Sequence, residues 1–153
     1  MSFFDAISIA ASGLTAERTR MDVTSENLAN ADTTQGANGQ PYQRQEVVLQ
    51  QVGGGFSAAL SGAMGTQPGT SSTTGTAAGG VQVAGIVNDP TPDQSVYDPG
   101  NPAANAQGYV KMPNVNPVNE MVDMIDESRS YESDVTAMST AKTMYEKTLD
   151  LLK

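Results

Sequence analysis

The side chains best able to do chemistry in this chain are carboxylates, and their spacing decides which chemistry. Asp123, Asp126, Glu127, Glu132 and Asp134 crowd one stretch near the C-terminus, and paired carboxylates are the apparatus of glycoside hydrolysis. On a helix, Asp123, Asp126 and Glu127 fall on one face. That face reads as solvated, opposite the apolar seam, with Arg129 placed to pair with Asp126 and Glu132. Asn88, Asp89, Asp93 and Asp98 offer oxygen atoms of the kind calcium takes, but they lack the EF-hand spacing and its closing glutamate. Pro90, Pro92, Pro99 and Pro102 make turn chemistry the better reading. The chain has no cysteine and no histidine, which removes thiol catalysis, triads and the usual transition-metal ligands. The glycines at 53–55 match neither a phosphate loop nor a dinucleotide fingerprint. No catalytic residue, metal site or cofactor is expected.

Composition narrows the classes further. The chain of 153 residues is 38% hydrophobic and 5% aromatic, without tryptophan, and carries 15 glycines and 8 prolines. Average domains are nearer half apolar, so a self-sufficient core is poorly supplied. The net charge of −9, with only 8 basic residues, gives no cationic stripe for nucleic acid and repels anionic lipid. No stretch is long and apolar enough for a membrane span. The apolar start from Phe3 to Leu14 lacks a basic leader, and Asp5 interrupts it, so an ordinary cleaved signal is not expected.

The elements that must position any functional side chain are two terminal helices. Residues 1–34 read as an N-terminal helix, with Ser2 as cap and Asp5 in the first turn. Ile7, Leu14, Met21 and Leu28 stand seven apart, with Phe4, Ala11, Arg18 and Ser25 as a companion row. Gly13, Ala10 and Ala11 either permit a close helix approach or are merely tolerated. Residues 116–153 read as a C-terminal helix, capped by Asn116 with Pro117 in its first turn. Met124, Tyr131, Met138, Tyr145 and Leu152 repeat every seven residues, with Met121, Ser128, Val135, Lys142 and Leu149 three before each. The methionines suit a seam that must adapt to unlike neighbours.

Between them, 35–115 is a middle region with strand signals at 40–52, 81–87 and 109–112, and turns over 88–105. Residues 53–80, rich in glycine, serine and threonine, read as a flexible insertion. The predicted fold class is mainly α: long N- and C-terminal helices forming an antiparallel coiled coil, with a small irregular β-containing middle. Serine, arginine and lysine dilute both seams, so the helices are expected to become rigid against neighbouring subunits.

Several motifs, met in order along most of the chain, resemble one family. Ser12 to Thr33, centred on Asn27-Leu28-Ala29-Asn30, resembles the N-terminal signature of the flagellar rod and hook axial proteins. Pro41-Tyr42-Gln43-Arg44-Gln45, Gly80-Val81-Gln82-Val83, Asp89-Pro90 through Tyr97-Asp98-Pro99-Gly100, and Gly108 to Asn116 narrow it to proximal-rod members, as do Ser130-Tyr131-Glu132, Thr140-Ala141-Lys142 and Lys147-Thr148-Leu149. The resemblance departs at 53–80.

It implies a structural subunit of the proximal rod of the bacterial flagellar basal body, exported through the flagellar type III apparatus and transmitting torque from the membrane ring. Its partners would be further copies of itself, other proximal-rod and distal-rod proteins and the adaptor to the ring. Ile7, Leu14, Met21, Leu28, Met121, Met124, Tyr131, Val135, Met138, Tyr145, Leu149 and Leu152 would form the subunit-packing seam. Asn27, Leu28, Asn30, Tyr42 and Arg44 would make the family-motif contacts, although Asn27 and Asn30 could equally end their own helix. The rival classes are a secreted effector or adhesin-like binding protein and a cell-wall hydrolase.

Overall fold

The computed structural model describes residues 3–36, 38–52 and 79–150. Ser2, most of the 53–80 stretch, Leu152 and the side chain of Phe4 lie outside the described part. Two long helices, α1 (Phe3–Ala29) and α2 (Pro117–Asp150), flank four strands: β1 (Gln45–Gln51), β2 (Val81–Asn88), β3 (Gln94–Tyr97) and β4 (Tyr109–Met112). The fold is mainly α with a small β-containing middle. At 1.5 Å per residue, the helices of 27 and 34 residues are roughly 40 and 50 Å long.

Local chemistry sets the helix ends. The Asn116 Oδ1 accepts hydrogen bonds from the N–H groups of Val118 at 3.0 Å and Asn119 at 3.4 Å, and Pro117 follows it as the first helical residue. Lys147 lies in the last turn of α2, where the dipole favours a cation. At the end of α1 the Asn30 amide donates to the Glu26 carbonyl at 2.9 Å, and its Oδ1 accepts from the Thr33 hydroxyl at 3.2 Å. Asn30 thus ends its own helix.

Each sheet is a pair of antiparallel strands. β1 pairs with β2, with an irregularity between Val48 and Leu49. β3 pairs with β4 from Gln94–Met112 to Tyr97–Tyr109. The turn-rich reading of 88–105 therefore missed β3, four residues bracketed by the prolines. Gly108 makes the turn into β4 possible. Its φ is +82°, and a Cβ there would stand 2.9 Å from the Tyr97 ring. That ring meets Tyr109 edge to face at 5.3 Å.

The first sheet lies along α1 and is tied to it at both ends. Asn27 bonds the backbone of Gln45 at the start of β1, and the Ser12 hydroxyl accepts from the Val81 N–H at 3.1 Å at the start of β2. Apolar burial is scant. Among the described residues the buried apolar core consists of Ala16, Val23, Ala31, Val110 and Val115, with Pro113 beside them.

Candidate functional site

The contacts between α1 and α2 run in opposite senses, so the helices are antiparallel. Asn27 Nδ2 donates to Glu120 Oε2 at 3.1 Å. One heptad earlier on α1 and one heptad later on α2, Arg20 Nε lies 3.5 Å from Glu127 Oε1, which also accepts from the Thr24 hydroxyl at 3.1 Å. One heptad further again, the missing side chain of Gly13 leaves the space that Asp134 occupies, since a Cβ would stand 2.7 Å from its Oδ2. The inward row of α2 is therefore Glu120, Glu127 and Asp134, alternating with the half-buried Met124, Tyr131 and Met138.

One expectation is corrected by this arrangement. Glu127 is no part of a solvated face; it is 5% exposed and sits between the helices. Asp123, half-buried, faces Arg44 Nη2 at 3.6 Å, and only Asp126 of that trio is openly exposed. The row containing Met121, Val135 and Leu149, expected to pack against other subunits, does not face α1. Met121 and Val135 each follow an inward residue by one position, about 100° round the helix, and all three are exposed. On α1, Leu14, Met21 and Leu28 likewise follow Gly13, Arg20 and Asn27 by one; with Ile7 they form a half-buried flank. Tyr145 is exposed, and Leu152 lies outside the described residues.

At the inner end of the helix pair, Asn27 is 1% exposed and fully bonded. Its amide donates to the Gln45 carbonyl at 2.9 Å and to Glu120; its oxygen accepts from the Gln45 N–H and the Tyr42 hydroxyl, each at 2.9 Å. Two donors and two acceptors exhaust the amide's capacity. Asn27 thus binds its own chain's middle region and α2, and does not cap α1. Burial, then the charges of Glu26 and Glu120, push the Tyr42 pKa up and keep its hydroxyl a donor.

Arg44 completes this hub. Its Nε donates to Glu120 Oε1 at 2.6 Å, its Nη1 pairs with Glu46 and lies 3.8 Å from Asp89 Oδ2, and its own N–H donates to Asn114 Oδ1 at 2.8 Å. Asn114 passes the tie on to the carbonyls of Asp89 and Thr91. Burial opposes the Arg44 charge, but the bonds to Glu120 and Glu46 outweigh it and raise the pKa. Glu120, only 1% exposed, is held by Arg44 and Asn27 together. Its burial was not foreseen, although a carboxylate repeating every seven residues with Glu127 and Asp134 is visible in the sequence.

Burial pushes the Glu127 carboxyl up, against the pull of Thr24 and Arg20. The groove beside it, between α1, β1 and α2, is lined by Arg20, Thr24, Arg44, Glu46, Asp123 and Glu127, charges that largely neutralise one another. Asp89 and Asp98 serve turns, accepting from the N–H groups of Thr91 at 2.8 Å and Gly100 at 3.2 Å. No group of three metal-binding side chains occurs among the described residues, nor any helix long and apolar enough to cross a membrane.

The outer face of α2 is different in kind. Val118, Val122 and Ile125 stand two positions before Glu120, Met124 and Glu127 respectively, and so about 200° round the helix from that inward row. These three and Met121 are each more than half exposed. The helix is therefore apolar on the side away from α1 as well.

Comparison with known proteins agrees along the whole chain. Residues 7–38 match the family described as flagella basal body rod protein, and residues 106–151 match the flagellar basal body rod FlgEFG protein C-terminal family. The flagellar basal-body rod protein FlgC of Bacillus subtilis is 46% identical over 157 aligned positions, covering 100% of both chains. The FlgC protein of Escherichia coli O157:H7 is 42% identical, covering 99% of this chain and 98% of that one. The FlgC protein of Borreliella burgdorferi is 37% identical, covering 100% and 99%.

Proposed function

The chain belongs to the FlgC family of flagellar basal-body rod proteins, and from that premise we propose that it builds the proximal part of the rod. It is a structural subunit, not an enzyme, and it assembles with other rod components. The rival effector, adhesin and hydrolase readings have no support in its relatives. In the reading offered here, α1 and α2 pack as a coiled coil beside those of neighbouring subunits to form the inner tube, and the middle region packs outward. Torque then passes from the membrane ring to the distal rod through helix-to-helix contacts.

The observation that carries this reading is the exposed apolar stripe of Val118, Met121, Val122 and Ile125, on a chain whose apolar core among the described residues is so small. A helix apolar on two opposite sides is a helix with two neighbours. The half-buried flank of Ile7, Leu14, Met21 and Leu28 supplies a further contact row. The family-motif residues Asn27, Tyr42 and Arg44 then hold the angle at which those rows are presented. A small core also suits passage through the flagellar type III apparatus in unfolded form, with assembly in the periplasm. The adaptor to the ring is a further partner in this reading.

Swimming of cells carrying point variants tests the stripe. Ile125→Asp places a charge in a contact and is expected to abolish motility, whereas Asp126→Asn, one position away and exposed, is expected to swim normally. Equal swimming by both variants would remove the stripe from the assembly surface.

A further inference from the structure

The residues between α1 and α2 recur with the heptad, two polar pairs and one space: Asn27 with Glu120, Arg20 with Glu127, and Asp134 in the room left by Gly13. Residue numbers fall by seven on one helix as they climb by seven on the other. The same register sets apolar layers between them, Val23 level with Met124, Ala16 with Tyr131 and Ile9 with Met138. We propose that these alternating polar layers, anchored by the Arg44–Glu120 ion pair, are what fixes the register of the two terminal helices.

Apolar packing alone discriminates poorly here. Four of the six apolar partners are small or flexible (Ala16, Val23, Met124, Met138), and such side chains repack in more than one register. The polar layers are less forgiving. A slip of half a heptad brings Arg20 level with Met124 or Tyr131 and Glu127 level with Val23 or Ala16, burying charges without partners. A slip of a whole heptad sets Arg20 against Glu120 or Asp134 and still pairs its charge, so a different element must forbid it. That element is the hub. In either direction Glu120, 1% exposed, moves away from Asn27 and from Arg44, and Asn27 itself is held to β1 by two bonds to Gln45. The ladder excludes half-steps, and the hub excludes whole ones.

The layers contribute selectivity more than stability. One oxygen of Glu127 is buried without a hydrogen-bond partner, and burial raises that carboxyl despite Arg20 and Thr24. Replacing a buried ion pair by apolar residues is often neutral or stabilising, and polar layers in helix seams are best attested as register devices. The inference does not depend on the rod reading, since it concerns one chain's own helices.

The natural absence of cysteine makes the test clean. Ile9→Cys is combined in turn with Met138→Cys for the observed register, Ala141→Cys for a half-heptad slip, and Tyr131→Cys or Tyr145→Cys for whole ones. Intrachain disulfide formation is followed in the full-length chain, in dilute solution and in isolated basal bodies. The 9–138 pair is expected to close at least tenfold faster than the others. Arg20→Glu should slow it at least fivefold, and adding Glu127→Arg should restore it. Replacing both inner layers with leucine (Asn27→Leu, Arg20→Leu, Glu120→Leu, Glu127→Leu) should leave the chain helical but let slipped pairs close as fast as 9–138. Exclusive 9–138 closure in the leucine variant, or failure of the charge exchange to restore it, would overturn the proposal. So would absence of 9–138 closure in the parent chain under both conditions.

Discussion

Asn27 shows how one buried amide can hold three elements. Its four hydrogen bonds reach Tyr42, β1 and α2, so truncation strands several groups at once. Asn27→Ala leaves the Gln45 backbone and the Tyr42 hydroxyl without their partner, and is expected to cost about 3 kcal/mol on the scale of unsatisfied buried groups. Asn27→Asp should be worse, because a second carboxylate would face Glu120 at hydrogen-bond distance. Urea midpoints of the two variants measure both costs. Glu127 gives a pH prediction of definite sign. Its folded pKa is raised, chiefly by burial, so its contribution to stability is fully present below the unfolded carboxyl pKa and is lost as pH rises through the folded value. Glu127→Gln keeps an acceptor for Thr24 and cannot ionise. Relative to that variant, the parent chain should lose stability between acidic and neutral pH; a gain over that range would contradict the assignment of Glu127 to a buried layer.

At the scale of elements, the helices were legible in the sequence and the face each turns to its partner was not. Caps, dipole charges and a sustained seven-residue period mark α1 and α2 plainly, and β1, β2 and β4 follow from runs of β-branched and aromatic residues. On α2 the Met124, Tyr131 and Met138 row does turn inward. The Leu14 row of α1 and the Met121 row of α2 each stand one residue past the positions that meet the partner helix, for one physical reason. A search for apolar repeats selects Leu14, Met21 and Met121, whereas the structure turns inward the residue just before each: Gly13, Arg20 and Glu120. The polar repeats carry the same period and could have been found by it. The Arg44 hub is different: its members are spread from Asn27 to Asp123, and only the fold brings them together. β3 was hidden because four residues between prolines give too short a pattern. The turn into β4 makes its own prediction. Gly108→Ala must hold a positive φ and push against the Tyr97 ring, so the Tyr97–Tyr109 pairing should loosen, at a cost of about 1–2 kcal/mol. Loss of tyrosine ring-current shifts, with the helical circular dichroism retained, is the expected result.

At the scale of the whole molecule, a lone chain is incomplete in the proposed reading. Its described buried apolar residues are few and small, two of them alanines from α1 and the loop after it, while valine, isoleucine and methionine side chains stand open along α2. In that reading, the polar layers and the Arg44 hub define a geometry and neighbouring subunits stabilise the outer faces. The measurement closest to that claim is the accessibility of a single cysteine on the stripe. In Val122→Cys protein, a maleimide should label the dilute chain rapidly and the same position in isolated basal bodies at least tenfold more slowly. Equal labelling in the two states would contradict the account.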